Sequence, residues 1–408
     1  GSTDRPLGSL PASTMTTVTM PRMTRHRRII LESGLIGLVV GALVVAPWVS
    51  GGYLLLLDWV SGPSSTVSPG LYGLSDNALD AMPWRLGIEA LRQLLGPEAA
   101  AWVIVLIPFP IAAAGAAHLV RMGRIPSYAA ALAAVCTPLI VDRVMAGHVP
   151  YLLGLSLLPW LMSSALNARS QNRWFSARTA GWYALAIAVS PHQAWLGGMI
   201  LLLVAVMPRP GVRDLVRLLL TGLAAAGTYA YAAVVVLSGV PTLQIGEADL
   251  TAFATRSGPG GLLPTVLSLH GYWRSWEGQV RNVLGYSALL LAIAAAAVIV
   301  IGLVTLVRRG NRRGPLAIAF IVIGALLAAG AQGPTGPLYD WAFHNVPLFT
   351  TMREPAKWLG LIQLGYVIAI AGGVQAIQQW SRAPERPRMV LAVAAGCLPL
   401  AVLPALAW

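Results

Sequence analysis

A carboxylate at a membrane boundary and cations placed to meet an anion are the chemistry this chain's polar residues offer. Asp58 follows the apolar run Tyr53-Leu54-Leu55-Leu56-Leu57 and precedes Trp59. At a membrane–water boundary, partial desolvation raises a carboxyl's proton affinity toward that of a useful base. The plain alternative is a helix end in the headgroups. Asp76 and Asp80 are four residues apart and share a face if Ser75 caps a helix running to Leu95, which makes them rival bases. Asp142, Arg143 and His148 fall close together. The adjacent opposite charges read either as a salt bridge or, through Arg143 and His148, as cations presented to an anionic substrate.

Two later stretches extend the set. His270-Gly271-Tyr272-Trp273-Arg274 places Arg274 beside aromatics expected to anchor the bundle at the interface. Phe349 to Trp358 contains Arg353, Glu354 and Lys357, the only lysine of the chain. Arginine grips a phosphate bidentately and lysine as a point charge, and the N-terminus of the following helix adds to the attraction. Arg353, Lys357, Arg274, His148 and Arg143 are thus the expected phosphate-binding set, with His192, His270 and Glu354 lining the same space. No metal-ligand spacing is present.

The elements that hold these residues are apolar. The chain has 408 residues, 56% hydrophobic and 11% charged, with mean hydropathy +0.69, more apolar than a soluble core of this size requires. The expected fold is all-α, a polytopic transmembrane bundle of about eleven helices. Its spans are Ile29 to Ser50, Glu98 to Val120, Ser127 to Val141, Tyr151 to Asn167, Thr179 to Ser190, Ala194 to Met207, Leu215 to Ser238, Leu284 to Val307, Pro315 to Ala331, Trp358 to Gln378 and Met389 to Ala407. Two short spans flank Pro191-His192-Gln193 and read as a hairpin shielded by its neighbours. Residues 1–24, polar and rich in Thr and Pro, are expected to be disordered, leaving 25–408 as the membrane module. Trp84, Leu86, Ile88, Leu91, Leu94 and Leu95 against Arg85, Glu89 and Arg92 mark an amphipathic interfacial helix.

Charge orients the bundle. The N-terminus and one alternating set of connections hold 20 of 27 arginines, and the other set holds 11 of 15 acids. The positive-inside rule puts the arginine-rich set in the cytoplasm. The N-terminus is then inside, the C-terminus outside, and loops 51–97, 142–150, 239–283 and 332–357 are outside. The net charge of +13 resides in short arginine clusters abutting apolar spans, which fits lipid headgroups and not nucleic acid. Cys136 and Cys397 both lie in apolar spans, so no structural disulfide is expected.

The first helix ending near Asp58, the acidic loop with its interfacial helix, Gly147-His148 leading to Leu153-Gly154-Leu155-Ser156-Leu157-Leu158-Pro159-Trp160, and the Phe349 to Trp358 element together resemble the membrane module of GT-C glycosyltransferases. Within that superfamily the chain is similar to bacterial arabinofuranosyl- and mannosyltransferase-like proteins and to YfhO-like membrane proteins. The resemblance covers most of Ile29 to Gln378. It implies a multi-pass enzyme of the bacterial inner membrane that moves a sugar, with inversion, from a polyprenyl-phosphate donor to a glycan or lipid acceptor outside the cytoplasm. It also implies an aspartate base, best matched by Asp58, and allows a divalent cation, Mg or Mn, bridging Asp58 or Asp76 to the phosphate. The family often carries an acidic pair where this chain has Asp58 beside Trp59. Many members add a soluble C-terminal domain, so a chain ending at Trp408 is expected to be a bare module or a fragment. A non-catalytic scaffold of envelope synthesis and a transporter are the alternatives. A transporter would show internal repeats and mid-membrane charge, whereas the expected spans hold only His118 and Glu32 near their ends.

Overall fold

The computed structural model describes residues 25–49, 56–59, 82–207, 211–230 and 245–406. Among them every regular element is a helix, and the only β pairing is an isolated bridge between Gly258 and Gly261. In chain order the main helices are α1 (Arg25–Val45), α2 (Met82–Leu95), α3 (Pro97–Val120), α4 (Arg124–Met145), α5 (Val149–Ser170), α6 (Ala177–Val189), α7 (His192–Val206), α8 (Val212–Ala226), α9 (Tyr286–Arg308), α10 (Arg313–Ala328), α11 (Pro355–Gln378) and α12 (Glu385–Leu406). Seven of them, α1, α3, α4, α5, α9, α11 and α12, are long and apolar enough to cross a membrane. The protein is therefore a multi-pass helical membrane protein. Of the other four expected spans, Leu215 to Ser238 begins in α8 and runs on into residues outside the described ones, and the remaining three correspond to α6, α7 and α10, helices of 13, 15 and 16 residues. Each of these three falls short of the roughly 20 residues a perpendicular crossing takes.

Burial separates centre from rim. Helices α4 and α11 are largely enclosed, whereas α9 and α1 turn Leu289, Leu290, Ile293, Leu31 and Leu35 outward. Small residues bring α9 against α11. A Cβ on Gly302 would lie 1.8 Å from the Ala369 carbonyl oxygen, and one on Gly373 would lie 2.2 Å from that of Val298, so backbone rests on backbone.

Helix α4 is interrupted at Cys136–Thr137 and restarts with Thr137 as N-cap and Pro138 in the first turn. Pro138 has no N–H to give the Ala134 carbonyl. Gln363 of α11 supplies one, its Nε2 donating at 2.8 Å. An apolar interior would otherwise leave that carbonyl unsatisfied, at a cost of several kcal/mol on the order of a lost buried hydrogen bond.

The helix ends are sorted by charge. At one end Arg124 meets Glu32 at 3.4 Å, Arg169 meets Asp214 at 3.4 Å and Arg309 donates to Gln379 at 2.7 Å, joining α1 to α4, α5 to α8 and α9 to the end of α11. The opposite end holds Asp58, Arg143, His148, His192 and Glu354. There α2 packs Trp84, Ile88 and Leu91 on Trp59, Val45, Ala101 and Ile104. Leu86 and Leu94 are exposed as an interfacial helix requires, but Glu89, expected on the polar face, is buried and accepts from Gln93 at 2.7 Å. Ser75, Asp76 and Asp80 lie outside the described residues, as do 1–24.

Candidate functional site

Four helix ends and one short turn, 56–59, build the site. Helix α4 does not stop at Val141 but runs to Met145, which puts Asp142 and Arg143 in its last turns. A tight turn follows, with Gly147 at φ +74, where a Cβ would sit 2.7 Å from the Trp59 nitrogen. Only glycine fits both that backbone and that approach. Asp58 donates its backbone N–H to the Ala146 carbonyl at 2.9 Å, so segment 56–59 is fastened to the turn that presents His148. Helix α11 opens with a 3-10 turn carrying Lys357, directly after Glu354, and α7 opens at His192.

One line of hydrogen bonds runs through these pieces. The Asp58 carboxylate is 2.6 Å from His148 Nε2, and His148 Nδ1 is 2.9 Å from Arg143 Nη1. Arg143 Nη1 also donates to Glu354, whose other oxygen is 3.5 Å from Lys357 Nζ. Lys357 reaches His192 Nε2 at 2.7 Å, and His192 Nδ1 reaches the Ser190 hydroxyl at 3.0 Å. Arginine and an ammonium have only donors, which sets both tautomers. His148 accepts at Nδ1 and donates Nε2–H to Asp58. His192 accepts at Nε2 and donates Nδ1–H to Ser190. His148 is thus neutral, and its contact with Asp58 is a hydrogen bond to a carboxylate.

Electrostatics agree. Burial lowers the proton affinity of His148 below its ordinary value, outweighing the carboxylate beside it. For Asp58 the His148 hydrogen bond wins over burial, and the carboxyl is held below the usual 3.8. The expected rise in Asp58 basicity is therefore reversed, because half of its side chain meets solvent and a donor is aimed at it. Burial would raise Glu354, but Arg143, Lys357 and His148 together hold it below the usual carboxylate range.

The partner of Arg143 is Glu354, 211 residues away, in place of the adjacent Asp142. Arg143 has no solvent exposure and lies between two tyrosines, its guanidinium carbon 5.1 Å from the Tyr151 ring centre and 5.0 Å from that of Tyr272. Its Nε and Nη2 have no hydrogen-bond partner. Tyr272 is consequently a buried wall of the site and not the lipid-facing anchor its sequence position implied. Asp142, Arg143 and Lys357 all belong to helices of spanning length, so charge inside spans is not confined to His118 and Glu32.

The other expected residues stand apart from this line. Arg353 lies over Phe253 at 5.1 Å, and Arg274 is exposed. His270 contacts the Ser268 hydroxyl at 3.1 Å, and burial pushes its proton affinity down to about 4. Ser190 and Tyr151 were missed. Tyr151 donates its hydroxyl to the Lys357 carbonyl at 2.6 Å, and the Pro-flanked tip holding Ser190 was the signal available for it.

Among the described residues no group of three or more His, Cys, Asp and Glu could hold a metal ion. The acids Asp58 and Glu354 are turned to a histidine and to cations, a donor set that does not fit a divalent cation. Next to the site, below Gly360 and Leu152, a small apolar cavity of about 30 Å³ lies among α3, α4, α5 and α11, lined by Phe109, Ile140, Leu155 and Val367. In comparisons with family models, with curated proteins and with solved structures, none matches this chain.

Proposed function

We propose that this protein is a membrane glycosyltransferase of the GT-C kind, moving a sugar from a polyprenyl-phosphate donor to a cell-envelope glycan or lipid acceptor on the extracytoplasmic face of the bacterial inner membrane. The observation that carries the reading is the Asp58 carboxylate, half exposed, aimed by a buried neutral His148 and followed within the same line by Arg143 and Lys357. Asp58 receives the proton of the acceptor hydroxyl as its oxygen attacks the anomeric carbon. The bond from that carbon to the phosphate oxygen breaks, the configuration inverts, and polyprenyl phosphate departs. A phosphate is a good leaving group, so cations matter more than a general acid. Lys357, within the line, and the partly exposed Arg353 are the cations assigned to the phosphate. Because Asp58 is a weak base, it takes the proton only as the new bond acidifies the hydroxyl, and it returns that proton to water.

The test is Asp58→Asn in the purified protein with a labelled polyprenyl-phosphate sugar and released polyprenyl phosphate as readout. Turnover is expected to fall at least ~10²-fold, the usual weight of a positioned base, with yield and unfolding midpoint retained. Wild-type turnover in the variant, or none in the parent with any such donor, makes the chain a scaffold.

A further inference from the structure

The arginine-rich end, opposite Asp58, holds polar groups for which the proposed reaction has no use. Two of its acids, Glu32 and Asp214, are already engaged. Glu32 meets Arg28 at 2.8 Å, Arg124 at 3.4 Å and the Tyr128 hydroxyl, while Asp214 meets Arg217 at 2.6 Å and Arg169 at 3.4 Å. Among the described residues Arg121, Arg313, His26 and His118 have no acid of their own. Arg121 lies within electrostatic reach of the other three, and Arg178 of His118.

These groups are held in place. The His26 and His118 rings are 5.9 Å apart, His118 stacks on Trp160 at 4.9 Å, and Trp160 stacks on Trp182 at 5.5 Å. His26 Nε2, His118 Nδ1 and Arg313 Nε are buried without a hydrogen-bond partner. Each such atom carries its full desolvation cost until something pairs with it. The backbone gives an independent sign. Arg121 ends α3 in the left-handed region, φ 52 and ψ 44, where helices ordinarily place glycine. A non-glycine residue is kept in that conformation where its side chain is needed.

We propose that Arg121, Arg313, His26 and His118 form a binding site for a phosphate group, and that its occupant is the headgroup phosphate of an anionic phospholipid. The lipid source follows from α1 and α3. His26 lies at the start of α1 and Arg121 at the end of α3, two helices of spanning length, so both stand at the depth where lipid headgroups lie. Arginine gives the phosphate a bidentate edge, and the imidazoles give it single donors. None of this depends on the transferase reading.

The full chain in maltoside detergent tests it by unfolding midpoint with added dioleoylphosphatidylglycerol, dioleoylphosphatidylcholine or sodium phosphate at constant ionic strength. Phosphatidylglycerol is expected to raise the midpoint by several degrees and phosphatidylcholine not at all. Arg121→Gly and Arg313→Gln each lose most of that rise, and Arg27→Gln, a neighbouring exposed cation, keeps it. Arg121→Gly suits the left-handed backbone and folds at least as well without lipid. An equal rise in Arg121→Gly and wild type, or no rise in wild type, overturns the site. An equal rise with inorganic phosphate overturns the lipid as occupant.

Discussion

A guanidinium with no exposure persists in an apolar bundle only if its charge is answered, and Arg143 is answered by Glu354, by the His148 lone pair and by two tyrosine faces. Removing one member of a buried pair strands the other, at about 3–5 kcal/mol, whereas replacing both with apolar groups is often neutral. Glu354→Gln is thus expected to lower stability by ~3–5 kcal/mol, and Arg143→Met with Glu354→Met to recover most of it. Denaturation in detergent around the double-mutant cycle measures this, and additive losses would show that the two do not act as a pair. The pH response is tied to the same residues. His148 and Asp58 both bind protons less readily folded than their ordinary values of 6.5 and 3.8. Each contribution is complete above that ordinary value and is lost as pH falls through the lower folded one. Acidification below 6.5 is expected to depress the unfolding midpoint, and His148→Gln to lessen the loss, the rest coming from the buried His270 over the same range. An unchanged profile in that variant moves the origin elsewhere. The participants were legible, since charge is so scarce here that Asp58, Arg143, His148, Glu354 and Lys357 stand out. The pairing was not, because proximity along the chain favours Asp142 while the actual partner is on another helix.

Helix–helix contact is decided by residues that have almost no side chain. Gly302 lets α9 and α11 touch through their backbones. Gly302→Val drives a branched side chain into the Ala369 carbonyl, and overpacking of this kind costs about 1–3 kcal/mol. A lowered midpoint and an early-eluting, aggregated fraction on size exclusion are the expected outcome, and wild-type behaviour would mean the helices separate freely. Most helices were legible from apolar runs alone. The end of α4 was misplaced because charge at Asp142 and Arg143 normally marks an exit from the membrane, and here Glu354 permits four more residues. The interruption inside α4 was written in Thr137-Pro138, a cap followed by its first-turn proline, but a continuous apolar run hides such a signal. The two segments around Pro191-His192-Gln193 were already short in the sequence, and α6 and α7 keep that length.

Across the whole molecule the charge sorting seen in sequence reappears as two differently built ends, arginines joined to acids and carbonyls at one and the Asp58 line at the other. The positive-inside rule then predicts opposite accessibility. In a background with Cys136→Ala and Cys397→Ala, a membrane-impermeant maleimide is expected to label Asp340→Cys on intact cells and Arg312→Cys only after permeabilisation. The reverse pattern would put Asp58 in the cytoplasm and end the transferase proposal.

The reach of the Arg143–Glu354 pair also bears on how the protein is made. Synthesis at ~5–20 residues per second leaves roughly 10–40 s between the two side chains emerging. Throughout that interval α4 carries a cation that the lipid interior disfavours. Its insertion must therefore stay provisional, with the guanidinium near the headgroups or held by the insertion apparatus, until the start of α11 arrives to close the bundle.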